Sequence, residues 1–352
     1  MEQGIMEQIP GLEELSGNMD GLFPEFRMDF SAFFSQILAG DPVGAAAGLA
    51  TSFGQALGAE AAGLRSLFVT ILLIGVISAL SAVLTGALKN HQTADMAHFI
   101  SYLMMLSMVL TTYLYAAETA RGLLEGMLLF VRLFIPTFML ALGMSAGTTV
   151  AAGYYQLILL LIYGVEQFLV GVGLPAVHFY MMLSAMNGIW GEERLENMLE
   201  FVQKAVSGTL KFLLTCIAGI GLLQSMVSPV LEHLKLTAAS RALSTIPGLG
   251  GLAEGTARLL LGSAVLIKNG LGVSAILLLV LLCSVPMLKL LLYGVILKLC
   301  AGLLGLAADK RLTECAKGAG EALFLLLRIS WTAGACFLIL FAIITCLAGT
   351  VR

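Results

Sequence analysis

Residues 271–297 read LGVSAILLLVLLCSVPMLKLLLYGVIL, and Lys289 is the only charged side chain among them. An α-helix of about 20 residues crosses the hydrocarbon core of a bilayer, which is roughly 30 Å thick. Because that core holds no water to hydrogen-bond the backbone, a spanning segment is a helix or part of a closed barrel. The apolar residues are continuous and do not alternate with polar ones, which favours a helix. This stretch therefore predicts a membrane-spanning helix.

Similar runs recur along most of the chain. Of the 352 residues, 59% are hydrophobic and 12% are charged, whereas a soluble domain carries about 25% charged residues. The sequence therefore predicts an all-α, polytopic membrane helix bundle with about 7–9 spanning helices. The predicted spans are 66–87, 97–117, 127–147, 154–173, 174–190, 209–230, 271–297 and 322–348, and the segments 259–270 and 298–308 are left open.

The distribution of charge predicts an orientation. Residues 1–64 carry nine acidic residues and one basic residue, a net charge of −8. Because cytoplasmic loops are enriched in Lys and Arg, we expect residues 1–64 to form an extracytoplasmic region and the loop 88–98, which carries Lys89, to lie inside. Residues 65–352 are then the helix bundle. The opening MEQGIMEQIPGLEEL lacks the basic and apolar regions of a signal peptide, so either a signal has been removed from this sequence or the orientation is reversed.

The chain also contains a possible internal repeat. ERLENMLEFVQKAVSGTLKFLLTCIAG at 193–219 is similar to KRLTECAKGAGEALFLLLRISWTAGAC at 310–336, with an offset of 117 residues. In this alignment Lys211 corresponds to Arg328 and Thr215 to Thr332. Internal repeats are common in transporter-like membrane folds.

Ionisable residues inside predicted spans are the first candidates for function, because a charge at the centre of a membrane helix costs roughly 2.5–3.5 kcal/mol on insertion scales. Arg132, Glu166 and Lys289 lie deepest in the apolar runs. We expect Glu166 to pair with Arg132 or Lys289, and a structural ion pair is favoured over a proton relay. The basic residues nearer to helix ends are expected to extend their side chains toward the lipid headgroups. These residues are Lys268, Lys298 and Arg328.

The chain shows no constellation of residues for catalysis or for a cofactor. No Walker loop or HExxH sequence is present, and the four histidines are scattered. GMSAG at 143–147 fits the GxSxG pattern, but it lies in an apolar run predicted to be a spanning helix and not at the strand-to-helix turn of a serine nucleophile. The six cysteines form no CxxC pair, which argues against a metal site or a disulfide framework. The sequence therefore predicts a protein that is not an enzyme and holds no cofactor and no metal.

The segment 241–270 is too interrupted for a plain spanning helix and too apolar for a solvated loop. Pro247 and the glycines after it force a turn, and irregular backbone at membrane depth is tolerated only where protein buries it or where it lines a cavity. We expect a re-entrant or interfacial hairpin whose turn is Pro247–Gly251, with its two ends on one side of the membrane. The residues singled out in this hairpin are Arg241, Pro247, Gly250, Gly251 and Lys268.

The same segment resembles a known family. The order Arg241, Ile246-Pro247 with its glycines, Glu254, and LIKNG at 266–270 is similar to the signature region of the stage III sporulation protein AE family. These are polytopic membrane proteins of endospore-forming bacteria, and the resemblance covers residues 64–352. Family members usually begin with a cleavable signal peptide, which this sequence lacks.

The resemblance implies a role in sporulation, in the mother-cell membrane that surrounds the engulfed forespore. The implied partners are the other stage III A operon products, among them a secretion-type ATPase and ring-forming proteins, and the forespore-side partner stage II protein Q. Together they would form a channel or secretion-like apparatus, and the resemblance implies no catalytic residue and no nucleic-acid partner. Membrane lipid is expected as a further partner. A self-contained secondary transporter or permease stays open as the alternative, because of the repeat and of Glu166 and Arg132.

Overall fold

The computed structural model describes the backbone of residues 63–77, 79–80, 91–146, 148–190, 195–243, 250–307 and 310–349, with position 58. Side chains are described over 63–77, 99–136, 159–188, 195–220, 270–306 and 310–343, and at a few isolated positions. The predicted region 1–64 lies almost wholly outside these ranges, so its extracytoplasmic placement stays a prediction.

Every element within the described ranges is helical, and none is a strand. The elements are α1 (Gly63–Ile77), α2 (His91–Ala146), α3 (Thr148–Phe168), a π-helical segment (Leu169–Gly173), α4 (Leu174–Trp190), α5 (Glu196–Leu243), α6 (Gly250–Ala307) and α7 (Lys310–Gly349). Five stretches of the described helices are long and apolar enough to cross a membrane. They are Phe99–Pro136, Leu159–Gly188, Glu196–Ile220, Gly270–Leu306 and Lys310–Ile343. The prediction of a polytopic helical membrane protein is therefore confirmed.

Helix α2 joins two segments that the sequence predicts as separate spans, 97–117 and 127–147. The connecting residues 118–126, ETARGLLEG, are rich in residues that favour a helix and contain no proline. The helix therefore continues through its charged residues for 56 residues, or about 84 Å at 1.5 Å per residue.

Helices α3 and α4 are likewise continuous where the sequence predicts two spans that meet at residue 174. Pro175 has no N–H and crowds the carbonyl group four residues earlier. The π-helical segment directly before α4 accommodates this change, and the backbone N–H of Leu174 bonds to the carbonyl oxygen of Leu169, five residues back. The proline therefore produces a local widening of the helix and does not end it.

Helix α7 is the central helix of the bundle: α2, α4, α5 and α6 all pack against it. The contacts with α2 fix the direction of the two helices. Tyr102 near the start of α2 is hydrogen-bonded to Cys315 near the start of α7, and Phe130 further along α2 lies 5.9 Å, between ring centroids, from Phe341. The two helices are therefore parallel.

Helix α6 runs antiparallel to α7, and their backbones approach closely. Gly320 of α7 lies against Lys298, and Gly294 of α6 lies against Phe324. A Cβ at Gly320 would be only 3.6 Å from the carbonyl oxygen of Gly294. Glycine at these two positions permits the close contact.

Helix α5 is parallel to α7, because Gln203 bonds to Glu321 and Ser207 to Arg328 at sequence separations of 118 and 121. These separations are close to the offset of the predicted repeat, so the two similar segments lie side by side. The repeat itself stays a prediction.

We call the side of the bundle at which α5 and α7 begin the Glu196 end. Helix α4 ends there, since Tyr102 Oη of α2 donates a hydrogen bond of 2.7 Å to the carbonyl oxygen of Ala185. Gly75 near the end of α1 lies against Leu304 near the end of α6. The last described residues of α1 and the first residues of α2 therefore both lie at the Glu196 end.

Candidate functional site

Arg132 and Tyr163 join α2 to α3 on the outer surface of the described bundle. Arg132 Nη2 donates a hydrogen bond to Tyr163 Oη. The guanidinium carbon also lies 4.9 Å from the centroid of the tyrosine ring, which is a cation–π contact. Both side chains are exposed. The predicted intramembrane base therefore binds an aromatic side chain across a helix–helix contact.

Glu166 lies one turn after Tyr163 on α3 and is half-buried. The charged groups close enough to act on it include Arg132 and Glu125. No salt bridge to Glu166 occurs among the described residues, so the predicted partner Arg132 is in electrostatic range without direct contact. Lys289, the other predicted partner, is buried on α6 with interactions of its own and is not among the charges that act on Glu166.

Arg121 and Glu125 were missed by the sequence analysis. They form an ion pair of 2.9 Å within α2, and each side chain is 56% exposed. They fall between the predicted spans 97–117 and 127–147, so they were not among the intramembrane candidates. Their spacing of four residues on one helix face was the signal that identifies them.

We call Arg121, Glu125, Arg132, Tyr163 and Glu166 the charged face. A Cβ at Gly126 would lie 3.9 Å from Leu282 Cδ1, and Leu282 is near the middle of the apolar run 271–297. Arg121 and Glu125, which are within about 8 Å of this contact along the helix axis, therefore lie near the depth of the middle of that run.

Charges at this depth are costly against lipid and usually face protein or water. Four charged groups and one tyrosine can bind a polar partner surface or line a water-filled path. The described residues contain no cluster of His, Cys, Asp or Glu that could hold a metal ion.

A second polar site lies at the Glu196 end, in a pocket of about 500 Å³ between α4, α5 and α7. We call it the polar pocket. Its lining includes Tyr180, Ser184, Asn187, Glu196, Glu200, Gln203, Glu314, Lys317 and Glu321. Glu321 is the centre of a network, because Lys298 Nζ lies 2.8 Å from its Oε1 and Gln203 Nε2 donates a bond of 3.3 Å to its Oε2. Lys298, which was expected to extend toward headgroups, is thus paired within the protein.

The structure describes the backbone of four of the five residues singled out in the predicted hairpin. Arg241 is near the end of α5, Lys268 is within α6, and Pro247 is outside the described residues. Gly250 and Gly251 are the first two residues of α6. The turn was predicted to include both glycines, and they instead begin a helix. This helix continues unbroken through the open segment 259–270 and, within the open segment 298–308, as far as Ala307. It stays a prediction that the two ends of the hairpin lie on the same side of the membrane.

These features define a polytopic helical membrane protein whose spans carry a charged face and a polar pocket. The sequence pattern of the family Stage III sporulation protein AE matches residues 28–348, so the chain belongs to that family. Stage III sporulation protein AE of Bacillus subtilis (strain 168) is 22% identical over 236 residues. The match covers 67% of this chain and 59% of that protein. No solved structure matches the chain.

Proposed function

We propose that this protein is a non-enzymatic membrane subunit of a channel or secretion-like complex that links mother cell and forespore and supports forespore development. Membership of a stage III sporulation family supports the sporulation role. We further propose that the protein lies in the mother-cell membrane around the engulfed forespore. Its partners are other stage III A operon products, including the secretion-type ATPase and the ring-forming proteins, and the forespore-side stage II protein Q.

The charged face is the observation that carries the assignment as a subunit. Arg121 and Glu125 are each 56% exposed at a depth where the neighbouring helix is apolar. Held against lipid, such charges would cost several kcal/mol, on the order of 2.5–3.5 each. A partner helix with acidic and basic side chains at the same depth would pair with these charges and remove that cost. The face is therefore expected to be covered by another protein within the assembled complex.

A secondary transporter or permease is the alternative, and the polar pocket favours it. The pocket lies between α5 and α7, the two helices related by the predicted repeat, and transporters often bind substrate at such an interface. The two functions differ in the residues that they require. Glu321→Gln in the polar pocket is the damaging change for a transporter, whereas changes in the charged face are the damaging ones for a subunit.

Deletion of the gene in its own bacterium tests the proposal. Vegetative growth is expected to stay normal, because the complex acts only in sporulation. Heat-resistant spores are expected to be lost, with microscopy placing the arrest after engulfment. A growth defect in cells that are not sporulating would contradict the proposal and favour the transporter.

Labelling of single cysteines tests the orientation. The Glu196 end carries Lys204, Lys298, Lys310, Arg311 and Lys317. We propose that this end faces the cytoplasm, because the segment that joins α1 to α2 carries Lys89. In a cysteine-free background, Ala45→Cys is expected to react with a membrane-impermeant reagent in intact cells, and Asn90→Cys only after lysis. Reaction of Asn90→Cys alone in intact cells would reverse the orientation.

A further inference from the structure

A groove of about 800 Å³ opens on the surface between α5, α6 and α7. We call it the α5–α7 groove. Most of its lining is apolar, including Leu210, Leu214, Met287, Leu291, Leu327 and Trp331. Trp331 is 68% exposed at the edge of the groove, and the neighbouring Phe212 of α5 is 70% exposed. These helices are apolar enough to span a membrane, so the groove opens toward lipid.

Two basic side chains, Lys211 and Arg328, border this apolar surface. Arg328 Nη1 donates a hydrogen bond of 2.8 Å to Ser207 Oγ. Within the described parts of the chain, neither basic group forms a salt bridge. The acidic residue nearest to Arg328 along α7 is Glu321, which is already bound to Lys298. The groove therefore carries two positive charges that no described carboxylate neutralises.

Arg328 extends toward the Glu196 end, and the same direction is expected for Lys211. Side chains on a helix lean toward its N-terminus, and α5 and α7 both begin at that end. The register of Gln203 with Glu321, 118 residues apart, would place Arg328 beside Leu210. Arg328 instead bonds to Ser207, three residues nearer to the Glu196 end. The apolar floor, with Leu214, continues in the opposite direction.

We propose that the α5–α7 groove binds an anionic phospholipid from the leaflet at the Glu196 end. The headgroup phosphate contacts Lys211 and Arg328, and an acyl chain lies along Leu214, Met287 and Trp331. Arginine is well suited to phosphate because its N–H groups bind two oxygens at once, and basic pockets between membrane helices recognise anionic headgroups. A zwitterionic lipid offers the same chain but no net negative charge. This proposal rests on the membrane-spanning fold and is independent of the role in a channel complex.

Tryptophan fluorescence in vesicles tests the site, because Trp331 is one of only two tryptophans in the chain. The full chain with Trp190→Phe is reconstituted into phosphatidylcholine vesicles that contain brominated phosphatidylglycerol or, in parallel, brominated phosphatidylcholine. Bromine quenches tryptophan on contact. We expect the relative binding constant at Trp331 to favour phosphatidylglycerol by roughly fivefold or more, given the usual attraction of a single basic residue to an anionic surface.

Variants assign the preference to the two basic groups. The double variant Lys211→Gln, Arg328→Gln is expected to lower the ratio to about one, and Arg328→Lys is expected to retain most of it. Lys204→Gln is the matched control, because Lys204 lies two turns earlier on α5 and is paired with Glu200 at 2.7 Å. Circular dichroism of each variant shows that it is folded.

Four results would overturn the proposal. Equal quenching by both lipids in the parent protein would make the groove an ordinary lipid-facing surface. A preference that survives in the double variant, or is lost equally in Lys204→Gln, would place it elsewhere. Quenching by neither lipid would mean that protein covers the groove.

Discussion

Arg121→Glu is expected to abolish heat-resistant spores while the protein still accumulates in the membrane. The ion pair of Arg121 with Glu125 is exposed and lies within one helix, and such a pair stabilises its own helix by only about 0.3–0.5 kcal/mol. Against a partner at mid-membrane depth the same charge matters far more. Loss of one member of a desolvated charge pair costs about 2–5 kcal/mol of binding, which weakens association by roughly 30-fold or more.

The control for this prediction is Lys204→Glu. Lys204 and Glu200 form an ion pair of the same spacing, 2.7 Å long and exposed, but at the Glu196 end. Its reversal is expected to leave the spore count near that of the parent strain. Immunoblots of membrane fractions measure accumulation in both variants. Normal sporulation of Arg121→Glu would contradict a functional role for the charged face.

Glu166→Gln is expected to destabilise the protein, and Arg132→Gln is expected to restore part of the loss. Arg132 acts on Glu166 through the electrostatic field, so removal of the carboxylate leaves the guanidinium less compensated at membrane depth. The double variant removes both charges. We expect a coupling free energy within the range of about 0.5–3 kcal/mol that contacting or networked residues show.

Thermal unfolding of the detergent-solubilised variants measures that coupling, and Lys289 supplies the control. Lys289 is buried on α6 and is not among the charges that act on Glu166. Lys289→Gln is therefore expected to add its own destabilisation to that of Glu166→Gln without compensation. Compensation by Lys289→Gln and not by Arg132→Gln would contradict the described arrangement.

The all-helical membrane fold could be predicted from the sequence, because a continuous apolar run of about 20 residues is typical of a membrane-spanning helix. The helix boundaries were harder. Two spans were predicted on either side of 118–126, yet Glu, Arg, Ala and Leu favour a helix, and α2 continues through this segment. Two spans were also predicted to meet at residue 174, and the π-helical segment accommodates Pro175 without a break. Local composition predicts where a helix is favourable, but charge alone does not end one.

The candidate site was predicted in part for a similar reason. Arg132 and Glu166 were identified because an ionisable residue is conspicuous in an apolar run. The bond from Arg132 to Tyr163 joins residues 31 positions apart and depends on how α2 packs against α3, which periodicity does not reveal. The contact of Arg328 with Ser207 depends on the parallel packing of α5 and α7. The offset of the predicted repeat is close to the observed separation of the contacting residues, but it does not specify which residues of α5 and α7 lie side by side.

Photo-crosslinking in sporulating cells tests most directly whether the charged face contacts a partner. A photoreactive amino acid replaces Leu129, which lies between Glu125 and Arg132 on α2 and is 46% exposed. Leu303 on α6, which is 45% exposed, serves as the control of equal exposure. If a partner protein covers the charged face, we expect an adduct with another protein from position 129 and none from position 303. No protein adduct at position 129, or equal adducts at both positions, would contradict it.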